Sequence, residues 1–372
     1  GILINAGAWP ISSWIGDAYP EASASGMVFL SAFTTKTAVF VLLKSFPGTE
    51  VLIYIGIFMI FYGIIYALLE NDMRRILAYS IVNQVGFMVT GIGIGTEMAL
   101  NGAAAHAFAH IIYKALLLMS AGSVLYMTGK RKCTDLGGLY RTMPITTICG
   151  IIGALAISSF PLTSGFISKS MISQGAADQH LTYVWFLLTA ASAGVFLHAG
   201  IKFPWFVFFQ KDSGLRPKDP PLNMKVSMII FAALCIILGT FPSLLYSILP
   251  FNVNYVPYTS GHVVAYLQLL LFAGLAFFIL LPQMKRTLTI SLDSDWFFRV
   301  IGKKLINYFS IELNILSDGI KRGTPEQINS FIEQIFKYHG PSGILAKTLP
   351  TGRTIFWVII IFALFLFLTF VS

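Results

Sequence analysis

Ala105–Gly122 reads AHAFAHIIYKALLLMSAG, an apolar run in which His106, His110 and Lys114 recur at every fourth position. A helix turns about 100° per residue, so positions four apart fall on one face and the three titratable side chains point the same way. The run around them is long enough to cross a bilayer, which needs about 20 apolar residues. Ionisable groups at that depth are costly to bury, and they are kept where they face a protein interior or a water-filled path that relays charge. A polar cluster that merely joins two helices is the competing explanation.

The rest of the chain agrees with a membrane setting. Of 372 residues, 56% are hydrophobic and 11% charged, and the formal net charge is +9. Soluble domains carry about 25% charged residues, so the composition describes a polytopic membrane protein. The mean hydropathy of +0.76 says the same, and the pI near 9.4 reflects basic residues set in short loops beside apolar spans. That distribution sets topology and excludes a nucleic-acid surface. Cys133, Cys149 and Cys235 have no motif spacing and imply neither disulfides nor a metal site. Gly1 is not an initiator Met and no signal peptide follows it, while residues 1–14 already read as part of a membrane helix. The sequence is therefore expected to lack a front segment.

The fold class expected is all-α, a polytopic transmembrane helix bundle with discontinuous helices and about ten membrane segments. Residues 1–14 form an apolar helix ending near Pro10, and Asp17–Glu21 with Pro20 forms a polar turn. Spans follow at 24–45, 50–69, 76–97 and 100–127. Residues 143–175 are too long for one straight span and contain Phe160-Pro161-Leu162-Thr163-Ser164-Gly165, where Pro161 and Gly165 predict a broken helix. Further spans lie at 181–209, 223–248, 262–283 and 353–371. Three parts result: a transmembrane bundle at 1–283, an amphipathic segment at 284–352, and a C-terminal transmembrane helix at 353–372.

Loop charge tests this count. Alternation places loops 70–75, 128–142 and 210–222 with segment 284–352 on one side, together with Arg74, Arg75, Lys130, Arg131, Lys132, Arg141, Lys211, Arg216, Lys218, Lys285 and Arg286. Loops 45–49, 98–99, 176–180 and 249–261 on the other side have Lys44 at an edge. The positive-inside rule makes the first side cytoplasmic and places Ser372 outside. Within 284–352, Phe297, Ile301, Leu305, Phe309, Leu313, Leu316 and Ile320 recur at near-helical spacing opposite Lys303, Lys304 and Asn307. This describes a helix on the cytoplasmic interface, stopped by Gly323-Thr324-Pro325 and followed by a second helix from Pro325 to Tyr338. Lipid headgroups and a protein partner both suit its apolar face.

Two more lysines lie deep in spans: Lys36 in Phe33-Thr34-Thr35-Lys36-Thr37-Ala38, and Lys169 just after the break. Burial and neighbouring positive charge both favour a neutral lysine, so such residues can exchange protons at physiological pH. An ion pair with a carboxylate is the alternative for Lys36, and no carboxylate stands at mid-depth in the sequence. His198 and Lys202 form another pair at spacing four near the end of their helix, where snorkelling of Lys202 competes with transport. There is no Gly-rich phosphate loop, paired Cys or His-Glu metal motif, or serine elbow, so no catalytic residue, cofactor or metal is assigned.

Several motifs in order resemble the antiporter-like subunits of respiratory complex I and, more closely, the D-type subunits of Mrp multisubunit sodium/proton antiporters. They are Trp14-Ile15-Gly16-Asp17-Ala18-Tyr19-Pro20, Thr35-Lys36-Thr37, Asp72 through Ser80 continuing to Gln84-Val85-Gly86-Phe87-Met88, His106 through Gly122, and Phe160-Pro161 through Ser168-Lys169. They cover residues 1–210, and Leu292 through Arg299 adds a softer likeness to D-type relatives. The resemblance implies two inverted-topology bundles, each with a broken helix, of which this chain is the C-terminal part. It also implies a proton relay in which Lys36 links the halves, Lys114 is central with His106 and His110, and Lys169 leads outward or to the next subunit. Arg75, His198 and Lys202 are accessory candidates, and Pro10, Pro161 and Gly165 mark the breaks. Where the family has a lysine five residues before the first proline, this chain has Asn5, and the family's partner glutamate lies on an earlier helix.

The function expected is proton translocation, with sodium or another monovalent cation as the exchanged ion, by one component of a larger complex in the cell (inner) membrane. Translocase activity would require an attached redox module. Partners expected are other membrane subunits, lipid, protons and sodium, and no nucleic acid. The alternatives are a stand-alone secondary transporter and a structural subunit that conducts nothing.

Overall fold

In a computed structural model the described residues are 1–283, 293–310, 326–340, 343–344 and 351–371. The chain divides into two units, Gly1–Trp296 and Phe297–Ser372.

The first unit is built from α1 (Ile2–Ala6), α2 (Ser13–Glu21), α3 (Ala24–Ser45), α4 (Val51–Leu69), α5 (Met73–Ile94), α6 (Glu97–Thr128), α7 (Pro144–Ile157), α8 (Ser164–Asp178), α9 (Thr182–Val195), α10 (Leu222–Thr240), α11 (Pro242–Tyr246) and α12 (Ser260–Leu280). Side-chain caps set several starts, as short polar residues satisfy the free amides of a first helical turn. Ser23 accepts from the Gly26 amide at 3.0 Å, Asp72 from the Arg74 amide at 2.8 Å, and Thr96 from the Ala99 amide at 3.2 Å. Among the described residues, eight helices are long and apolar enough to cross a membrane.

Burial places the centre of the bundle. The α5 span is wholly buried and the α6 span 78% buried, against 17% for α12. These two inner helices carry many of the buried polar residues, among them Asn83, Gln84, His106, His110 and Lys114, which face protein. Small residues bring α4 and α5 close: a Cβ at Gly86 would stand 2.7 Å from the Gly56 carbonyl oxygen, so only glycine allows that approach.

Loops assigned to one side by alternation do lie together. Met73 donates to the Arg131 carbonyl at 2.9 Å, Gln210 Nε2 to the Leu136 carbonyl at 2.7 Å, and Ser213 Oγ to the Gly137 carbonyl at 2.9 Å. Asp219 accepts from the Ile145 and Thr146 amides at 3.2 and 3.1 Å, closing the start of α7. At the opposite end Gly48 donates to the Ile92 carbonyl at 2.9 Å, and the Asn101 amide pairs with both backbone groups of Phe251.

The broken helix is present: α7 stops at Ile157, and α8 starts at Ser164. Ser159 and Leu162 adopt positive φ, 59° and 67°, in the turn around Pro161. Gly165 is required because a Cβ there would overlap the Ala156 carbonyl oxygen.

Three expectations change, and a fourth, the span at 181–209, is present as Thr182–Phe209 with added detail. Residues 1–14 are not one helix: α1 ends at Ala6, where Gly7 takes φ +79°, and α2 begins at Ser13. The expected polar turn at Asp17–Glu21 is helical, because Gly16 packs under the Tyr79 ring and the Tyr19 hydroxyl donates to the Leu30 carbonyl at 3.1 Å. Tertiary packing overrides the turn signal of Pro20, which falls in the last turn. The span at 223–248 is split at Phe241-Pro242, since a residue before proline avoids the helical region and Phe241 has φ −118° and ψ 75°. The span read as 181–209 widens into π-helical stretches at Phe196–Lys202 and Trp205–Phe209.

In the second unit, residues 297–310, Glu326–His339 and Thr351–Val371 are helical. Phe297, Leu305 and Phe309 are exposed within it. Leu313, Leu316, Ile320, the Gly323-Thr324-Pro325 stop, Lys285, Arg286, Leu292 and Ser372 lie outside the described residues.

Candidate functional site

The fold converges on α6, which packs against α3, α5, α7, α8 and α10. His106, His110 and Lys114 are all fully buried on it. Lys36 is buried on α3 and Lys169 on α8, so the five candidates occupy α6 and two helices packed against it.

Each has a distinct environment. His106 lies between α5 and α8: its Nδ1 is 2.9 Å from Ser168 Oγ and its Nε2 is 3.1 Å from Gln84 Oε1. The Tyr113 hydroxyl donates to Gln84 Oε1 at 3.1 Å. Lys169 Nζ donates to the Ile157 carbonyl at 2.7 Å and sits 4.9 Å from the centre of the Phe87 ring. That carbonyl is the last of α7, whose acceptors the break leaves free, so the discontinuity itself supplies the lysine's partner. The Phe87 ring also touches His106, edge-on at 6.1 Å, and so stands beside both groups.

Lys36 Nζ donates to the Ser31 carbonyl at 2.8 Å and to Thr35 Oγ1 at 3.1 Å. Asn5 Nδ2 donates to the Thr34 carbonyl at 3.2 Å, which ties α1 to α3 close to that lysine. His110 Nδ1, His110 Nε2 and Lys114 Nζ are buried and have no protein partner among the described residues. Buried polar atoms are almost always satisfied, and ordered water is the ordinary partner where protein supplies none. The middle of the row is thus the place chemically suited to hydration.

The accessory candidates sit elsewhere. Arg75 pairs with Asp17 at 2.9 Å and Glu70 at 2.8 Å, at the basic-loop end. Lys202 donates to the Ala67, Leu68 and Glu70 carbonyls at 2.5, 2.8 and 2.7 Å, capping the end of α4. His198 Nδ1 bonds the Gly194 carbonyl at 2.9 Å within its own helix. Pro10 lies in the first break, its carbonyl accepting from Ser294 Oγ at 2.8 Å. Pro161 and Gly165 form the second break, beside Lys169.

Gln84, Tyr113 and Ser168, the partners of His106, and Asn83, which bonds Gln84, were not singled out as such by sequence reasoning. A signal existed in the Asn83-Gln84 pair, two amides in the apolar run Ile81–Val89. Asp293, which accepts from the Tyr62 and Tyr79 hydroxyls at 2.5 and 2.6 Å, stood in the Leu292–Arg299 motif, but that motif named no partner for it. Among the described residues no group of His, Cys, Asp and Glu has the arrangement of a metal site.

Similar proteins carry the same part. The chain is 29% identical over 257 residues to a probable K(+)/H(+) antiporter subunit, of type A/B, from Rhizobium meliloti (strain 1021), covering 65% of this chain and 26% of that protein. It is 30% identical over 248 residues to the D-type Na(+)/H(+) antiporter subunit of Alkalihalophilus pseudofirmus, covering 63% of this chain and 49% of that one. The chain thus spans half or less of these two curated relatives. A chain in the structure of the membrane-bound sulfane sulfur reductase, an archaeal respiratory membrane complex, superposes with a TM-score of 0.64 at 23% identity, over 98% of this chain and 66% of that chain. It shows the same fold. Residues 1–197, more than half of the chain, match the family described as NADH:quinone oxidoreductase/Mrp antiporter, TM, and this integral membrane protein belongs to that family.

Proposed function

We propose that the chain is a proton-translocating, antiporter-like subunit of a multisubunit membrane complex, with protons exchanging among the buried groups Lys36, His106, His110, Lys114 and Lys169. The observation that carries this reading is the row itself: five buried ionisable groups on three packed helices, two of them with buried atoms lacking a protein partner among the described residues. A static role needs every such group paired, whereas a relay needs groups that alternate between partners. The relatives' names include Na(+)/H(+) and K(+)/H(+) antiporter subunits, so a monovalent cation is the exchanged species proposed, with the basic loops facing the cytoplasm. Other membrane subunits are the proposed partners.

Membrane voltage is a sufficient drive. Moving one charge through 100 mV is worth about 2.3 kcal/mol, which matches a lysine pKa shift of between about one and two units. Lys114→Ala is expected to abolish coupled proton movement in everted membrane vesicles while the complex still assembles. Unchanged flux would remove the relay reading.

Asn5 favours a second reading, a membrane subunit that anchors partners and conducts nothing, since an amide cannot carry a proton's charge where the family has a lysine. On that reading Lys36, Lys114 and Lys169 can all become Met without loss of transport by the assembled complex.

A further inference from the structure

The groups around His106 have a fixed direction of hydrogen bonding that starts at a backbone atom. The Ile60 carbonyl of α4 can only accept, and Asn83 Nδ2 donates to it at 2.9 Å. That orients Asn83 so that its Oδ1 accepts from Gln84 Nε2. Gln84 Oε1 is in turn the atom presented to His106 and Tyr113. Flipping either amide would set oxygen against oxygen at Ile60 or at the Asn83–Gln84 contact, so the chain has one low-energy polarity. Gln84 Oε1 has no hydrogen, and His106 Nε2 at 3.1 Å must supply one. Were Nε2 instead to accept from the Tyr113 hydroxyl at 3.3 Å, its lone pair would face the Gln84 oxygen, which would lose both donors.

The other ring nitrogen is not fixed in this way. Ser168 Oγ lies 2.9 Å from Nδ1, and the same hydroxyl has the Ser164 and Gly165 carbonyls at 3.2 and 3.4 Å as alternative acceptors. With neutral His106, the Ser168 hydroxyl donates to Nδ1. With the imidazolium, Nδ1–H donates to Oγ, and the hydroxyl hydrogen turns to the Ser164 carbonyl. One rotation about a C–O bond follows the proton.

We propose that Asn83 and Gln84 are positioning residues that hold the proton of neutral His106 on Nε2, so that His106 exchanges protons only at Nδ1, through Ser168, on the α8 side. In the transfer, the Ser168 hydroxyl gives its hydrogen to Nδ1 and Oγ takes one from a hydrated proton, leaving a neutral serine and an imidazolium. This rests on the proton-relay reading for its purpose, though not for its geometry. It makes the contact with Gln84 a lock and the contact with Ser168 the port.

Nitrogen-15 NMR of histidine-labelled full-length chain, in its complex in bilayers, reads the tautomer directly, with the His106 signal assigned by its loss in His106→Gln. The expected result is protonated Nε2 and bare Nδ1 above the ring's pKa. Gln84→Leu should shift His106 toward the Nδ1–H tautomer, and Gln84→Glu, which keeps an acceptor in place, should retain Nε2–H. Ser168→Ala should slow proton flux by roughly 10²-fold, the lower end of what a positioned proton-transfer group supplies, and Ser168→Thr should restore it. A wild-type ring protonated on Nδ1 overturns the proposal whatever the variants do, as does an unchanged tautomer in a folded Gln84→Leu. Failure of the transport reading appears separately, as undiminished flux in Lys114→Ala.

Discussion

At the scale of single residues, the buried lysines separate by what their ammonium groups touch. Lys202 has three backbone carbonyls at the end of α4, a full set of acceptors for three N–H groups. Hydrogen bonds to a charged donor contribute about 1.5–3 kcal/mol each, and burying the same carbonyls unpaired adds a penalty. Lys202→Met is therefore expected to lower the thermal midpoint of the purified complex clearly, while flux per assembled complex stays near wild type; equal loss of both would return Lys202 to the relay. Lys114 is the reverse case, fully buried with no protein acceptor among the described residues, so its removal breaks no protein hydrogen bond. In the loop before α10, the Arg216 guanidinium and the Gly214 amide hold the Asp212 carboxyl down to about 2. A folded-state pKa below the unfolded one means that the pairing stabilises at neutral pH and is lost as pH falls through about 2. Side-chain NMR titration of Arg216→Ala should show the Asp212 midpoint returning toward 3.8.

At the scale of elements, the α7–α8 break is the device that makes Lys169 tolerable in a membrane. It frees the Ile157 carbonyl for Nζ, and it depends on Gly165 passing the Ala156 carbonyl without a Cβ. Gly165→Ala is expected to destabilise by more than about 2 kcal/mol, because a rigid backbone atom, and no flexible side chain, is in the way. A milder change is expected at the other end of α7. Asp219→Ala removes the acceptor of the Ile145 and Thr146 amides and should cost about 1 kcal/mol, the usual worth of a helix cap. Both are read as shifts of the unfolding midpoint in detergent, and a smaller effect for Gly165→Ala than for Asp219→Ala would contradict the close-approach account.

At the scale of the whole molecule, residues far apart in sequence meet at the first break. Asp293 joins α4 to α5 through Tyr62 and Tyr79, and Ser294 reaches the Pro10 carbonyl. Asp293→Ala should loosen this closure, visible as faster hydrogen exchange at residues 293–296 with little change at α6. Much of the architecture was legible in the sequence. The His106, His110 and Lys114 register, the Pro161–Gly165 break and the grouping of loops all follow from helical period, proline sterics and span alternation. The helical state of Asp17–Glu21 was not legible, because it depends on Gly16 packing under Tyr79, which lies on another helix far along the chain. Neither was the π-helical widening at Phe196–Lys202, where no local residue pattern announces the change in hydrogen-bond step.

What the sequence by itself determined is which groups are titratable, that they stand within apolar runs and which face of their own helix they share, since these depend on composition and on periods of about 3.6 residues. Only the tertiary structure decided their partners: Gln84 and Ser168 for His106, the Ile157 carbonyl for Lys169, the α4 carbonyls for Lys202, and no protein group for Lys114 among the described residues. A hydrogen bond is short and directional, so its partner is fixed by how helices distant in sequence pack, and local pattern carries no record of that.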